Sequence, residues 1–244
     1  MSALDLDRIA PTLRPELSPS GHQNWRNLLF LHWPVPASAM RAVVPPELEL
    51  DLWDEQAWVG LVPFEMEDVR PSWLPGPLAM TFLETNLRTY VHYRGEPGVY
   101  FFSLEASSRL AVQAARWGWG LPYHHAAMTT QQSAGGTRYE SRRSSNAEAC
   151  VSVRYHVGEV FGPSAPGSFE HFLLERYYLF ALRGGRVTKG HVHHRPYPAQ
   201  RAEIELIEEG LVAAAGLARP GGVAPIAHYA SGVDVEVFGP WPIK

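Results

Sequence analysis

Apolar residues in this chain fall into short runs, several alternating with polar residues at period two, and Pro, Gly, Asn or Asp bound them. That is the signature of strands. The pattern predicts strands over residues 24–33, 48–53, 57–64, 80–93, 99–105, 123–131, 137–145, 149–157, 177–182, 187–194, 204–208 and 226–238. Asp54-Glu55-Gln56 reads as a hairpin turn between the second and third of these, and Gly184-Gly185 as a turn with positive φ at both positions. Helices are predicted over residues 36–43, stopped by Pro45-Pro46, and over 107–117, 168–176 and 209–217. Ser107 or Ser108 would cap the second, where Leu110, Val112, Ala114, Ala115 and Trp117 give a helical spacing. Many strands, few helices and no βαβ alternation point to a mainly β fold, an antiparallel barrel or sandwich with a few peripheral helices. No repeat or linker divides the chain. It reads as one domain over residues 1–244, with residues 1–20 an irregular N-terminal arm.

One strand carries the most informative pattern. Over residues 81–92, Phe82, Glu84, Asn86, Arg88, Tyr90 and His92 share one face, and Thr81, Leu83, Thr85, Leu87, Thr89 and Val91 the other. Either face could be a core face, so the strand looks buried on two sides. Glu84, Asn86 and Arg88 then stand in line, ~7 Å between alternate residues. The commoner arrangement for such a pattern is a solvated face on which the three satisfy one another. The alternative is the polar floor of a cavity inside a closed sheet, where buried charge needs a partner or a ligand.

Composition narrows the function. The 244 residues are 45% hydrophobic and 19% charged, which supports a folded core rather than disorder. A net charge of −4 argues against nucleic acid as the main partner. The basic group Arg138, Arg142, Arg143 and Arg154 reads as the solvated face of a hairpin. No apolar run reaches the ~18 residues of a membrane span, and the N-terminus lacks a signal-like apolar stretch, so neither membrane nor secretion is implied. One cysteine, Cys150, excludes an internal disulfide, and a cytoplasmic location fits. Cys150 lies in a predicted strand, where a buried thiol is expected. Of 21 basic residues, only Lys189 and Lys244 are lysine. Eight tryptophans, mostly in the first half, suit either a core or an apolar ligand cavity.

Other chemical signals are weak. His191 and His193 would share a strand face and form a workable metal pair, but no third ligand is indicated, and exposed histidines are the commoner explanation. His124 and His125 are adjacent and point to opposite faces, so one of them at most could serve a site. No Gly-x-Ser-x-Gly elbow, P-loop or Gly-x-Gly-x-x-Gly stands in the right context, so no cofactor is implied.

Several segments resemble a known superfamily. The run from Ala39 to Asp51 (AMRAVVPPELELD) is similar to the helix–strand segment of acetoacetate decarboxylases. Arg26 precedes Arg41 by the spacing of that family's pocket arginine. The stretch from Glu96-Pro97 to Pro122 resembles the family's path from an Asn-Glu-Pro turn to its Tyr-Pro-Lys-Lys site. A tighter resemblance is to an uncharacterised, YqjF-like branch of the superfamily. It rests on the runs LFLHWPVP at Leu29, AWVGLVPF at Ala57, Phe82-x-Glu-x-Asn-x-Arg-Thr-Tyr-Val91, GVYFFSLE at Gly98 and Val192-His-His-x-Pro-Tyr-Pro198. The resemblance implies an acetoacetate decarboxylase-like, cone-shaped antiparallel β-barrel with a central cavity.

The resemblance also exposes a departure. Decarboxylases of the family follow the proline with two lysines, the first forming a Schiff base with the keto acid. Here Pro122 is followed by Tyr123 and His124. A phenol cannot form an iminium, so the lysine-dependent step has no counterpart at this position. Lys189 is expected at a strand end.

Two readings follow. In the first, the barrel is an enzyme acting on a keto acid, hydroxy acid or related anion by non-covalent acid–base chemistry. Tyr123, His124 and Glu84 would handle protons, and Arg26, Asn86 and Arg88 would bind the anion. In the second it is a non-catalytic binder of an apolar or aromatic ligand. A metal-assisted enzyme using His191 and His193 is the remaining alternative. Family relatives assemble into higher oligomers, and open edges of an incompletely closed barrel would favour a dimer.

Overall fold

The structure, a computed structural model, describes residues 6–218 and 222–243, so Lys244 and the first five residues of the arm lie outside the described residues. The elements run β1 (Gly21–Val35), α1 (Ala37–Val43), β2 (Glu49–Leu50), β3 (Ala57–Pro71), β4 (Met80–Tyr93) and β5 (Glu96–Ala106). Then come α2 (Arg109–Trp119), β6 (Tyr123–Ser133), β7 (Gly136–Arg143), β8 (Cys150–Gly162) and α3 (Phe169–Leu174). β9 (Tyr178–Arg183), β10 (Arg186–His193), β11 (Ala199–Glu209), α4 (Leu211–Ala214) and β12 (Ile226–Pro242) complete the chain.

All twelve strands join one sheet. It closes on itself twice, because β5 pairs with both β4 and β6 while β12 pairs with both β10 and β11. One ring of nine strands runs β5-β6-β7-β8-β11-β12-β1-β3-β4 and back to β5. A smaller ring of seven runs β4-β5-β9-β10-β12-β1-β3. The strands β12, β1, β3, β4 and β5 form the wall shared by both.

That shared wall explains why strands such as β1 are apolar on both faces. Successive side chains of a strand point to opposite sides. Leu28 and Phe30 therefore enter the core of the smaller ring, together with Val62, Phe64 and Tyr90. Leu29, Leu31 and Trp33 enter the other core with Leu61, Leu87 and Val91. The two-sided burial expected of β4 holds: from Glu84 to His92 every residue is buried. On its second face, Thr85 exchanges a hydrogen bond with the Tyr139 hydroxyl at 3.0 Å, and Thr89 Oγ1 donates to the Trp58 carbonyl at 2.8 Å.

Some sequence expectations need correction. Residues 48–53 do not form a hairpin with β3; a single bridge joins Trp53 and Gln56, and β2 pairs instead with β4. β4 runs past the end of β3, and β2 takes up that free edge at Val91 and His92. The sheet is not wholly antiparallel, since β5 pairs in parallel with β6 and β9. The first pairing requires a crossover, and α2 supplies it as one βαβ unit. Ser108 caps α2 by accepting from Ala111 N, while Ser107 Oγ accepts from Leu83 N. The helix expected over residues 209–217 shortens to α4, ended by Gly216 at positive φ. Gly184 and Gly185 do adopt positive φ at the β9–β10 turn. Cys150 is half-buried rather than fully buried.

The basic group is also not one solvated face. Arg138 and Arg154 pair with Glu140 and Glu205 in the open, but Arg143 turns inward onto Glu105, which is fully buried. The N-terminal arm is tied down by side chains rather than by strand pairing. Arg8 donates to Asp51, the Pro11 carbonyl meets His191 Nε2 at 2.8 Å, and Arg14 makes a two-point ion pair with Glu236.

Candidate functional site

A cavity of about 390 Å³ lies inside the seven-strand ring. One end is polar, lined by Glu84, Asn86 and Arg88 of β4 and by Tyr123 at the start of β6. The walls are apolar and aromatic, with Trp25, Phe64, Phe101, Trp119, Leu179 and Val237 prominent. The alternation of β4 left a solvated face as the commoner arrangement and a polar floor as the alternative; Glu84, Asn86 and Arg88 in fact line a cavity.

Strand register brings these groups together. Glu84, Asn86 and Arg88 sit opposite Phe64, Val62 and Gly60 of β3. Gly60 is the position that makes room: a Cβ there would lie 3.1 Å from the His32 ring and 3.5 Å from Arg88 Cγ. On the other side, Asn86 pairs with Leu104 of β5, and Leu104 pairs in parallel with Tyr123. The crossover by α2 thus returns the chain beside β5 with Tyr123 over Glu84. Arg116 of α2 fastens this return by donating from Nε to the Tyr123 carbonyl at 2.6 Å.

Tyr123 Oη donates to Glu84 Oε2 at 2.7 Å, with both side chains buried. Tyr123 is the one hydrogen-bond partner of the Glu84 carboxyl among the described residues, while Tyr139 Oη donates to the Glu84 backbone carbonyl at 2.8 Å. Burial pushes the Glu84 carboxyl up to about 8; the Tyr123 bond pulls against this, and the nearby Glu105 charge adds to it. The Tyr123 phenol is held well above its ordinary range, by burial first and then by Glu84. At neutral pH, Glu84 is thus mainly a neutral acid.

Arg88 and Glu84 do not pair with each other. The Arg88 guanidinium donates from Nη2 to the Leu173 carbonyl at 3.3 Å and stands 5.7 Å over the Phe30 ring, while its Nε has no partner. Arg88 makes no ion pair among the described residues, although its charge is felt by the buried Glu175. Asn86 Oδ1 is likewise buried without a hydrogen-bond partner. A cavity end with a neutral carboxyl, a guanidinium that no carboxylate neutralises and an unpaired amide oxygen favours an anion that also offers a donor.

The other sequence candidates stand elsewhere. Arg26 lies at the sheet surface, its Nη2 donating to Asp234 at 2.6 Å and its Nη1 to the carbonyls of Trp25 and Val233. It does not line the cavity. Its side chain lies over Gly232, and the strand bulge after it turns Leu28 and Phe30 inward instead. His124 also stays outside the cavity lining, since it follows Tyr123 on the strand and takes the opposite face. Burial, then the charges of Arg143 and Arg116, hold its imidazole down to about 4. His191 bonds the Pro11 carbonyl, His193 faces Glu236 at 3.7 Å, and no group of three or more His, Cys, Asp or Glu side chains able to hold a metal occurs among the described residues. Lys189 lies within β10 and not at a strand end; its Nζ donates to both Glu96 oxygens at 2.7 and 2.9 Å and stands outside the cavity. No lysine among the described residues lines the cavity.

Sequence reasoning missed part of the surroundings. Arg176 borders the cavity and is held by Asp51 at 2.7 Å and by the rings of Phe172 and Tyr90 at 4.4 and 4.8 Å. Arg8 reaches the same Asp51 from the arm. These residues are far apart in sequence, and no local pattern links them. Trp119 lines the cavity and packs on β10 where that strand offers a glycine: a Cβ on Gly190 would lie 2.5 Å from Trp119 Cζ3.

No helix among the described residues is long and apolar enough to cross a membrane. The chain is 39% identical over 223 residues to the uncharacterized protein YqjF of Bacillus subtilis (strain 168), covering 91% of this chain and 90% of that protein. Among solved structures, it is similar to the enduracididine biosynthesis enzyme MppR complexed with pyruvate. The TM-score is 0.61 at 13% identity, over 94% of this chain and 92% of that one. The acetoacetate decarboxylase of Legionella pneumophila subsp. pneumophila str. Philadelphia 1 matches with a TM-score of 0.58 at 15% identity, over 99% of each chain. An acetoacetate decarboxylase-like enzyme from Sphingomonas wittichii RW1 matches at 0.61 and 12% identity, over 93% of this chain and 94% of that one. These likenesses establish an acetoacetate decarboxylase-like fold. The model of the family described as uncharacterized conserved protein COG2071 (DUF2071) matches residues 22–234, and the chain belongs to that family.

Proposed function

We propose that this barrel is an acid–base enzyme acting on a small organic anion, a keto or hydroxy acid, without a Schiff-base lysine. The observation that carries this reading is the buried Tyr123–Glu84 hydrogen bond of 2.7 Å, set in the same cavity end as an Arg88 that no carboxylate neutralises. Arg88 takes the substrate carboxylate. The unpaired Asn86 amide oxygen accepts a hydroxyl or enol O–H. A carboxyl poised at about 8 can give or take a proton near neutrality. The Tyr123 hydroxyl stabilises the carboxylate after Glu84 has given its proton. Glu84 and Tyr123 have this role, whereas His124 and Arg26 lie outside the lining and take no part in it. The pyruvate named with MppR supports an acid of this kind as a ligand class.

Hydrogen–deuterium exchange at the carbon next to the carbonyl tests the reading without knowledge of the product. Short 2-oxo and 2-hydroxy acids are incubated with the protein in D2O and followed by proton NMR. The native protein should accelerate exchange or convert at least one acid. Glu84→Gln and Tyr123→Phe should lower that rate by about 10²-fold or more while remaining folded. Acids that bind yet show neither exchange nor turnover would leave a binding protein, which the apolar walls would favour.

A further inference from the structure

Resting on that reading of the polar end, we infer that the substrate is an organic acid with a sizeable apolar body, alkyl or aryl, rather than a compact acid of two or three carbons. The cavity of about 390 Å³ lies within the range of sites for larger ligands. At the ~30 Å³ that a water occupies, it holds about thirteen non-hydrogen atoms. A 2-oxo carboxylate head uses about five of these, leaving room for roughly eight more.

The character of the walls agrees with the volume. Beyond Glu84, Asn86, Arg88 and Tyr123, the cavity is mostly apolar, with Trp25, Phe64, Phe101, Leu179, Trp119 and Val237, and with Ser20, Gln23, Arg70 and Arg176 as its further polar lining. A compact acid would leave this aromatic surface wet. An apolar body would bury it, and each added methylene would tighten binding about fourfold until the space is full. Trp119, at the end of α2, lines the cavity and rests on Gly190, so removing its ring enlarges the space a ligand can fill.

Calorimetric titration of the native protein at pH 7 tests this with linear 2-oxo acids of three to ten carbons, phenylpyruvate and the matching primary alcohols. The expected result is a Kd that falls about fourfold per methylene and then levels. Trp119→Ala should move the levelling point to longer acids. Its folded state is checked separately, by a far-UV circular dichroism spectrum and an unfolding midpoint close to those of the native protein. Affinity that is flat or falls with length, while the short acids bind, would overturn the apolar body and leave the anion site standing. If no acid of any length binds, the reading of the polar end fails and this inference fails with it. Alcohols binding as tightly as acids would also overturn it, since Arg88 would then contribute nothing.

Discussion

Glu84 should make this protein less stable as the pH rises, and its replacement by Gln should remove that dependence. Its carboxyl stands at about 8 in the folded chain against 4.5 for the free side chain. Folding therefore favours the protonated form. Below about 4.5, both states carry the proton and the group leaves stability unchanged. Above that, the unfolded chain ionises while the folded one keeps its proton, and each pH unit removes about 1.4 kcal/mol. The loss levels off above about 8, where it totals roughly 5 kcal/mol. Gln is close in shape and can still accept the Tyr123 hydroxyl, but it does not titrate. Denaturant unfolding of native protein and Glu84→Gln at half-unit steps from pH 4.5 to 9 measures the difference. Titrating groups that do not interact with Glu84 are common to both proteins and cancel, which leaves Glu84 together with its neighbours Glu105 and Tyr123. The stability of the variant relative to the native protein should rise by about 3–5 kcal/mol across that window. A difference that stays constant within about 1 kcal/mol, or that falls with pH, would refute the buried neutral acid and with it the assignment of Glu84 as the proton donor.

Arg88→Met should weaken the binding of any carboxylate ligand by about 10- to 100-fold in calorimetry, the worth of a charged hydrogen bond. Arg143→Ala should cost about 3–5 kcal/mol in denaturant unfolding at neutral pH, because it leaves Glu105, which is fully buried, without its cation. Replacing Glu105 by Gln in the same chain should recover much of that loss. Asp51→Ala should cost a similar amount by stranding Arg176, whose side chain is 2% exposed, whereas Arg8→Ala, with a side chain 26% exposed, should cost about 1 kcal/mol. His124→Gln should leave ligand affinity and proton exchange within about twofold of native, since His124 stands outside the cavity lining.

How far the sequence alone could be read follows from which interactions are local. The alternation along residues 81–92 located the polar floor, because period two is a property of any extended strand and three polar residues on a core-like face break the rule for burial. Tyr123 and His124 both stood as proton carriers in the sequence reading, and only the structure separated them. Apolar runs and turn residues found the long strands, the Gly184-Gly185 turn and the cap region of α2. The absence of a lysine after Pro122 set the chemistry apart from that of the decarboxylases, since no fold can turn a phenol into an amine.

Pairing between distant strands was a tertiary decision. Nothing local tells β2 to join β4 instead of β3, or β5 to pair in parallel with β6, because backbone hydrogen bonding is indifferent to sequence and the choice lies in which edges remain open. The second closure of the sheet, through β10 and β12, made a separate small ring and so a cavity in place of a filled core. It also decided that Glu84 and Arg88 would face that cavity unpaired, that Arg26 would lie on the outside against Asp234, and that Arg8, Asp51 and Arg176 would meet. Residue type and spacing supplied the available chemistry; long-range strand pairing determined which of those groups share one cavity, where burial changes their protonation and what they can bind.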